Sequence, residues 1–366
     1  MNNIGDRIKG CLMGGAVGDA LGYEVEFTDW NSICRRYGGQ GIQDLAIHGG
    51  KARFSDDTQM TLFTCEGMVL GFWRSNERGT GAEVAWYIYQ AYLCWLMTQG
   101  SGKKKKAPVE PLWEHESELL REPGMNVQRA PGNTCLSALH SEHMGTIEAP
   151  LNNSKGCGGV MRTAPLGFMQ CWGPPIIKGA EAGAITHGHP GGWMPAGMLS
   201  DIIFRIIYDE RKALHEIVED SICKTISIWG ELEYTHVLIE MVRRAMSLAD
   251  TDIADVDAIH SIGGGWVGDE ALAIAIYCCL KHTDDLRQAL ISAVNHSGDS
   301  DSTGAIAGNI LGAYLGYEAI PDEWIQKIEL RELILKEAEN ITEAAEYADK
   351  KYSGSDNKRM PLQRWG

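Results

Sequence analysis

Two short acidic motifs carry the densest chemistry in the chain. Ser55-Asp56-Asp57-Thr58 and Ser297-Gly298-Asp299-Ser300-Asp301-Ser302-Thr303 each set carboxylates beside hydroxyls at the start of a run with helical periodicity. Carboxylate and hydroxyl oxygens are hard ligands, suited to Mg²⁺, Mn²⁺ or Ca²⁺ rather than zinc. Helix capping accounts for either motif alone, because Ser and Asp at a helix start accept from free backbone N–H groups. It does not account for both, since Asp56, Asp57, Asp299 and Asp301 together exceed what two caps require. If the two helix starts converge, the repulsion among their carboxylates demands cations between them.

Weaker signals lie elsewhere. A helix ends near Gly18-Asp19-Ala20-Leu21-Gly22 and leads into a loop carrying Glu24 and Glu26, which taken alone read as solvated surface. The run Gly156-Cys157-Gly158-Gly159-Val160-Met161-Arg162 frees backbone N–H groups to approach a phosphate. No Gly-Lys-Ser/Thr follows it and no clear strand precedes it, so it is neither a Walker motif nor a dinucleotide fingerprint. His187 and His189 have no third soft ligand, which favours loop hydrogen bonding over metal binding, and His140 and His143 read as surface. Trp266, after three glycines, either stacks on a ligand ring or belongs to the core. The motifs of metalloproteases, serine hydrolases and zinc modules are missing.

The elements that must position these residues are helical. Ile4, Ile8, Cys11, Leu12 and Ala16 share one helix face. Met60, Phe63, Cys65, Met68 and Val69 share another, on a helix capped by Ser55 or Asp56. The spacing predicts further helices near 84–99, 134–144, 176–186, 196–208, 213–229, 234–248, 266–281, 285–295, 302–316 and 325–349, and few strands. The fold class is therefore all-α. Gly304, Gly308, Gly312 and Gly316 recur every four residues, a smooth stripe against which a neighbour's backbone can pack closely. Residues 1–352 read as a single domain. Within it, 100–132 reads as a surface excursion with four prolines and Lys103 to Lys106, and 353–366 reads as a loose tail.

Composition limits the partners. In 366 residues, 33 Lys and Arg face 49 Asp and Glu, a net charge of −16. That excludes nucleic acid or an anionic membrane as the main partner, since both require a basic face. Ten scattered cysteines with no C-x-x-C pair read as reduced thiols in a cytoplasmic protein. The apolar run at 84–97 is interrupted by Gln90 and three tyrosines, so it reads as a buried helix rather than a membrane span. The short apolar run before Asp19 does not read as a signal peptide.

Taken in order, the motifs resemble the ADP-ribosylglycohydrolase family. The resemblance covers roughly residues 4–335 and rests on Gly18 to Gly22, Glu26-Phe27, Ser55 to Thr58, Gly132-Asn133-Thr134, Gly158 to Arg162, Thr186-His187 with Pro190, and Gly298 to Gly304. It implies a compact orthogonal helical bundle with a central dinuclear cleft holding two Mg²⁺ (or Mn²⁺) ions, and cleavage of the bond joining ADP-ribose to an acceptor. By position, it implies that Ser55, Asp56 and Asp57 hold one ion and Asp299, Asp301 and Ser302 the other, with an aspartate bridging. Glu26 and Asp299 take the catalytic roles. Asn133, Thr134, Gly158, Gly159, Val160 and Met161 line the ADP-ribose site, with His187 nearby and Trp266 placed to stack on adenine. Ser55 and Ser302 stand where threonines are usual, which keeps the hydroxyl. Cys157 stands where asparagine is common, which puts one polar contact in question.

Three functions remain to be compared. The first is a metal-dependent hydrolase acting on an ADP-ribosylated protein, with arginine as the acceptor. The second is an immunity-type protein that blocks an ADP-ribosyltransferase toxin, with or without hydrolysis; the intact acidic motifs favour catalysis, and the long excursion favours a partner surface. The third is a phosphohydrolase of the haloacid-dehalogenase type, suggested by Asp299-Ser300-Asp301-Ser302-Thr303. That motif should follow an apolar strand early in an α/β domain, whereas here it comes late in a helical chain.

Overall fold

The structure is a computed structural model describing residues 4–79, 83–100, 106–112, 114–209 and 212–353. Helices form the architecture. In chain order they are α1 (Ile4–Tyr23), α2 (Trp30–Tyr37), α3 (Asp56–Arg78), α4 (Val84–Thr98), α5 (Glu118–Arg121), α6 (Asn133–Leu139), α7 (Pro175–Ala184) and α8 (Pro190–Tyr208). They continue as α9 (Leu214–Trp229), α10 (Glu233–Ala249), α11 (Asp255–Ile262), α12 (Gly268–Lys281), α13 (Leu286–Val294), α14 (Ser300–Leu315), α15 (Asp322–Ile325) and α16 (Arg331–Ser353). Among the described residues no β-strand forms, only isolated bridges such as Gly156–Val267. The all-α expectation holds. No helix among the described residues is long and apolar enough to cross a membrane, and the ten cysteines are unpaired.

The centre of the fold is the antiparallel pair α1 and α14. A Cβ added to Gly14 would strike the Gly308 carbonyl, one on Gly18 the Gly304 carbonyl, and one on Gly10 the Gly312 carbonyl. The expected stripe on α14 thus meets a second stripe on α1 with the same four-residue period, and the two backbones touch. Gly316, the last of the predicted stripe, instead caps α14 with a left-handed φ of 89°. Asn309 fastens the pair by donating Nδ2 to the Cys11 carbonyl at 2.9 Å. Antiparallel contact sets the end of α1 beside the start of α14, which brings Asp19 close to Asp301.

The other acidic motif, Ser55 to Thr58, arrives on α3. Met60, Phe63, Cys65 and Met68 bury the predicted face, and Val69 is half-buried. Three boundaries depart from the periodicity. α8 begins six residues early because His189 caps it, accepting from the Gly191 N–H at 2.9 Å. The run predicted at 325–349 breaks at Leu330, which has a left-handed φ of 52°, so α15 and α16 are separate. The helix predicted at 134–144 stops at Leu139.

The segment 100–132 also differs from a wholly surface excursion. Lys103 to Lys105 lie outside the described residues, and Lys106 is exposed. Further along, Leu119, Leu120 and Met125 have no exposed surface. Glu66 of α3 anchors this half: its carboxylate accepts from the Ser117 hydroxyl at 2.7 Å and the Leu119 N–H at 3.1 Å. The tail beyond 353 lies outside the described residues.

Candidate active site

The capping requirement at α3 is met by residues other than its aspartates. Ser55 accepts from the Asp57 N–H at 3.1 Å. Asp19, fully buried on α1, accepts from the Ser55 N–H at 2.8 Å, the Thr58 N–H at 3.0 Å and the Thr58 hydroxyl at 2.5 Å. Asp56 and Asp57 are therefore free to face the cleft. Asp56 Oδ2 takes one long bond from the Gly132 N–H at 3.4 Å, while Asp57 Oδ2 is buried without a hydrogen-bond partner.

The start of α14 repeats the pattern. Asp299 occupies the capping position, yet its carboxylate caps nothing; Oδ2 accepts from the Cys157 thiol at 2.6 Å. Asp301 Oδ1 accepts from the Ser302 N–H at 3.1 Å. The Ser302 hydroxyl lies 3.5 Å from the Cys157 sulfur. Glu26, on the loop after α1, completes the group: one carboxylate oxygen each from Glu26, Asp299 and Asp301 lie within 4.8 Å of one another.

Electrostatics ties the two motifs together. Burial pushes Asp56, Asp57 and Asp299 well above the usual carboxylate range, and the Asp301 charge is the next cause for each. The same two causes push Asp19 up to about 7 and Glu26 up to about 10. Five buried carboxylates with half-buried Glu26 beside them cannot all ionise without opposite charge among them. The donor set is all oxygen apart from the Cys157 thiol, which burial and then the Asp299 charge hold protonated. With the unpartnered Asp57 Oδ2, these residues fit hard divalent cations.

The glycine loop forms a second wall. Gly158 packs tightly, since a Cβ there would stand 3.1 Å from both the Cys135 sulfur and the His187 ring. Gly159, Val160 and Met161 are buried, and Gly156, Cys157 and Gly158 are half-buried, so the outer part of the loop faces the cleft mainly with backbone. Behind it His187 is 2 % exposed, with Nδ1 2.8 Å from the Thr186 hydroxyl, which accepts from buried Arg162 at 2.5 Å. Burial, and then the Arg162 charge, push His187 down to about 3, so its ring is neutral. Asn133 and Thr134 open α6 beside this loop, where the Thr134 hydroxyl lies 3.2 Å from that of Ser154.

Trp266 is 43 % exposed and joins the glycine loop, its carbonyl accepting from the Cys157 N–H at 3.2 Å. Its indole stacks on Phe27, ring centroids 5.2 Å apart and planes at 22°. Phe27 has a left-handed φ of 59° and is 72 % exposed. The pair links the Glu26 loop to the glycine loop across the mouth of the cleft. Sequence alone gives Phe27 and Asp19 no role. An aspartate on an apolar helix was the available signal for Asp19, but its function appears only when α3 is laid against α1.

The family profile for ADP-ribosylglycohydrolase matches residues 1–351. The ADP-ribosyl-[dinitrogen reductase] glycohydrolase of Rhodospirillum rubrum is 27% identical over 339 residues, covering 90% of this chain and 92% of the relative. Mouse ADP-ribosylhydrolase ARH3 is 31% identical over 351 residues, covering 88% and 87%. A solved ADP-ribosylglycohydrolase-related protein complex shares the fold, with a TM-score of 0.63 at 20% identity, covering 94% of this chain and 100% of that one. Profile, relatives and helical architecture agree, and this chain belongs to the ADP-ribosylglycohydrolase family.

Proposed function

We propose that this protein hydrolyses the glycosidic bond between ADP-ribose and an arginine side chain of a modified protein, reversing ADP-ribosylation. The observation that carries the reading is the convergence of two acidic helix starts, where Asp301 lies close enough for its charge to act on Asp56 and Asp57 and Asp57 Oδ2 is buried without a partner. Two Mg²⁺ (or Mn²⁺) ions would be held by Ser55, Asp56 and Asp57 on one side and by Asp299, Asp301 and Ser302 on the other. Such ions supply Lewis acidity toward the ribose hydroxyls and an attacking water.

The rest of the work falls to the chain. Glu26 stands at the half-exposed edge of the cluster, placed to take a proton from water and to face a guanidinium leaving group. Asp299 is placed to stabilise the positive charge that develops at the anomeric carbon. The backbone from Gly156 to Gly158, with Asn133 and Thr134, would bind the diphosphate, and neutral His187 holds that loop from behind. Trp266, stacked on Phe27, offers its other face to adenine.

The test is release of ADP-ribose from arginine-linked and serine-linked substrates, with Mg²⁺ and with EDTA. The reading predicts release from the arginine linkage that EDTA abolishes. Release from serine alone would move the acceptor, and no release from any linkage at saturating metal would refute the enzymatic reading.

A further inference from the structure

A cavity of about 340 Å³ meets the cleft at Glu26 and Phe27 and is lined also by Tyr23, His48, Arg53 and Arg129 among others. Its charge is unusual for a chain of net −16. Glu24, also on the wall, is already paired with Arg36 and with His48, whose Nε2 lies 2.7 Å away. Glu26 belongs to the carboxylate cluster. Arg129 donates Nη2 to both oxygens of Glu329, at 3.2 and 2.9 Å, but its Nε is buried without a partner. Arg53 is exposed and donates no hydrogen bond among the described residues; its charge, like that of Arg129, acts on Glu329. Arg129 is paired with Glu329 while Arg53 has no ion pair among the described residues, which leaves positive charge facing the cavity.

We infer that this cavity is an acceptor-side subsite for an acidic side chain neighbouring the modified residue of the protein substrate. The inference rests on the hydrolase reading above. An acceptor residue whose glycosidic bond lies at Glu26 carries its chain past Glu26 and Phe27, and successive residues stand about 3.8 Å apart. The next side chain or two therefore reach the cavity, which has room for an Asp or Glu. Guanidinium groups recognise carboxylates through paired hydrogen bonds, and the exposed Arg53 head is available for them, with the Arg129 charge on the same wall. Phe27, held outward by its left-handed backbone, forms the rim.

The test uses ADP-ribosylated peptides that carry one modified residue, arginine or serine, flanked by Glu or by Lys. At low salt the wild type should show a KM about fivefold lower for the Glu-flanked peptide, with kcat unchanged, as expected for a partly exposed charge pair. Arg53→Ala should erase that preference and Arg53→Glu should reverse it, while both variants keep wild-type release from a free ADP-ribosyl amino acid. Equal KM values for the two flanks, or a preference that survives Arg53→Ala, would overturn the inference and leave the hydrolase reading intact. No release from any peptide or free conjugate would instead overturn the hydrolase reading, and the inference with it.

Discussion

Asp301 is the carboxylate that its neighbours in the cleft feel most. After burial, its charge is the next cause raising Asp19, Glu26, Asp56, Asp57 and Asp299. Replacing it therefore relieves repulsion and deletes a ligand at once. Asp301→Ala should abolish ADP-ribose release while the metal-free protein melts at the wild-type temperature or above it; unchanged turnover at saturating Mg²⁺ would exclude its role. Glu26→Gln should lower kcat about 100-fold or more with ADP-ribose affinity nearly kept, as removal of a general base does. Parallel losses in kcat and affinity would make Glu26 a binding residue. The aspartates at both helix starts could be read from sequence because they exceed what capping needs. Asp19 could not, because it looks like one polar residue on an apolar helix until α3 supplies three donors to it. Cys157 showed only as a departure from the family pattern, and the structure adds its bond to Asp299.

At the scale of elements, the contact between α1 and α14 aligns the site. A side chain at Gly308 would overlap the Gly14 carbonyl, so Gly308→Val must force the helices apart. Overpacking of this kind costs about 1–3 kcal/mol or more, and a denaturant melt should read it, together with weaker metal binding; a stable variant with full metal affinity would show that backbone contact does not set the site. The α14 stripe could be read because its period is regular. Its partner could not, because Gly10, Gly14, Gly18 and Gly22 are mixed with further glycines in a run buried on nearly every side. α2 and α11 are not legible in the sequence because eight residues give too short a window for periodicity. A separate buried acidic pair joins α3 to α16. Burial, with the Glu66 charge second, pushes Glu337 from its usual 4.5 up to about 8. The folded chain therefore keeps a proton there that the unfolded chain loses. Stability from this group is fully present below pH 4.5 and is lost as pH rises through about 8. Glu337→Gln should remove that loss, raising stability at pH 9 by on the order of 2 kcal/mol and leaving it near wild type at pH 4. A melting temperature that falls in parallel for both proteins from pH 5 to 9 would contradict the assignment.

For the whole molecule, the structure changes what 100–132 can be asked to do. Removing 103–128 would strip Leu119, Leu120 and Met125 from the core and the Ser117 contact from Glu66, so among the described residues a partner role for this segment must be sought around exposed Lys106, Pro108, Val109 and Glu110. Arg129, near the end of 100–132, accepts at its carbonyl from the Asp56 N–H at 2.9 Å, so the segment helps to build the cleft it borders. With a net charge of −16, the surface repels anionic ligands at long range, and attraction must come from local cations. The central claim is that residues 55–57 and 299–302, far apart in sequence, form one dinuclear centre. Crystals grown with Mn²⁺ and measured for anomalous scattering test it most directly. The account predicts two peaks in the cleft, one against Asp56 and Asp57 and one against Asp299 and Asp301, both absent from Asp301→Ala crystals. Mn²⁺ found only at the surface, with the cleft free of anomalous signal at saturating metal, would contradict it.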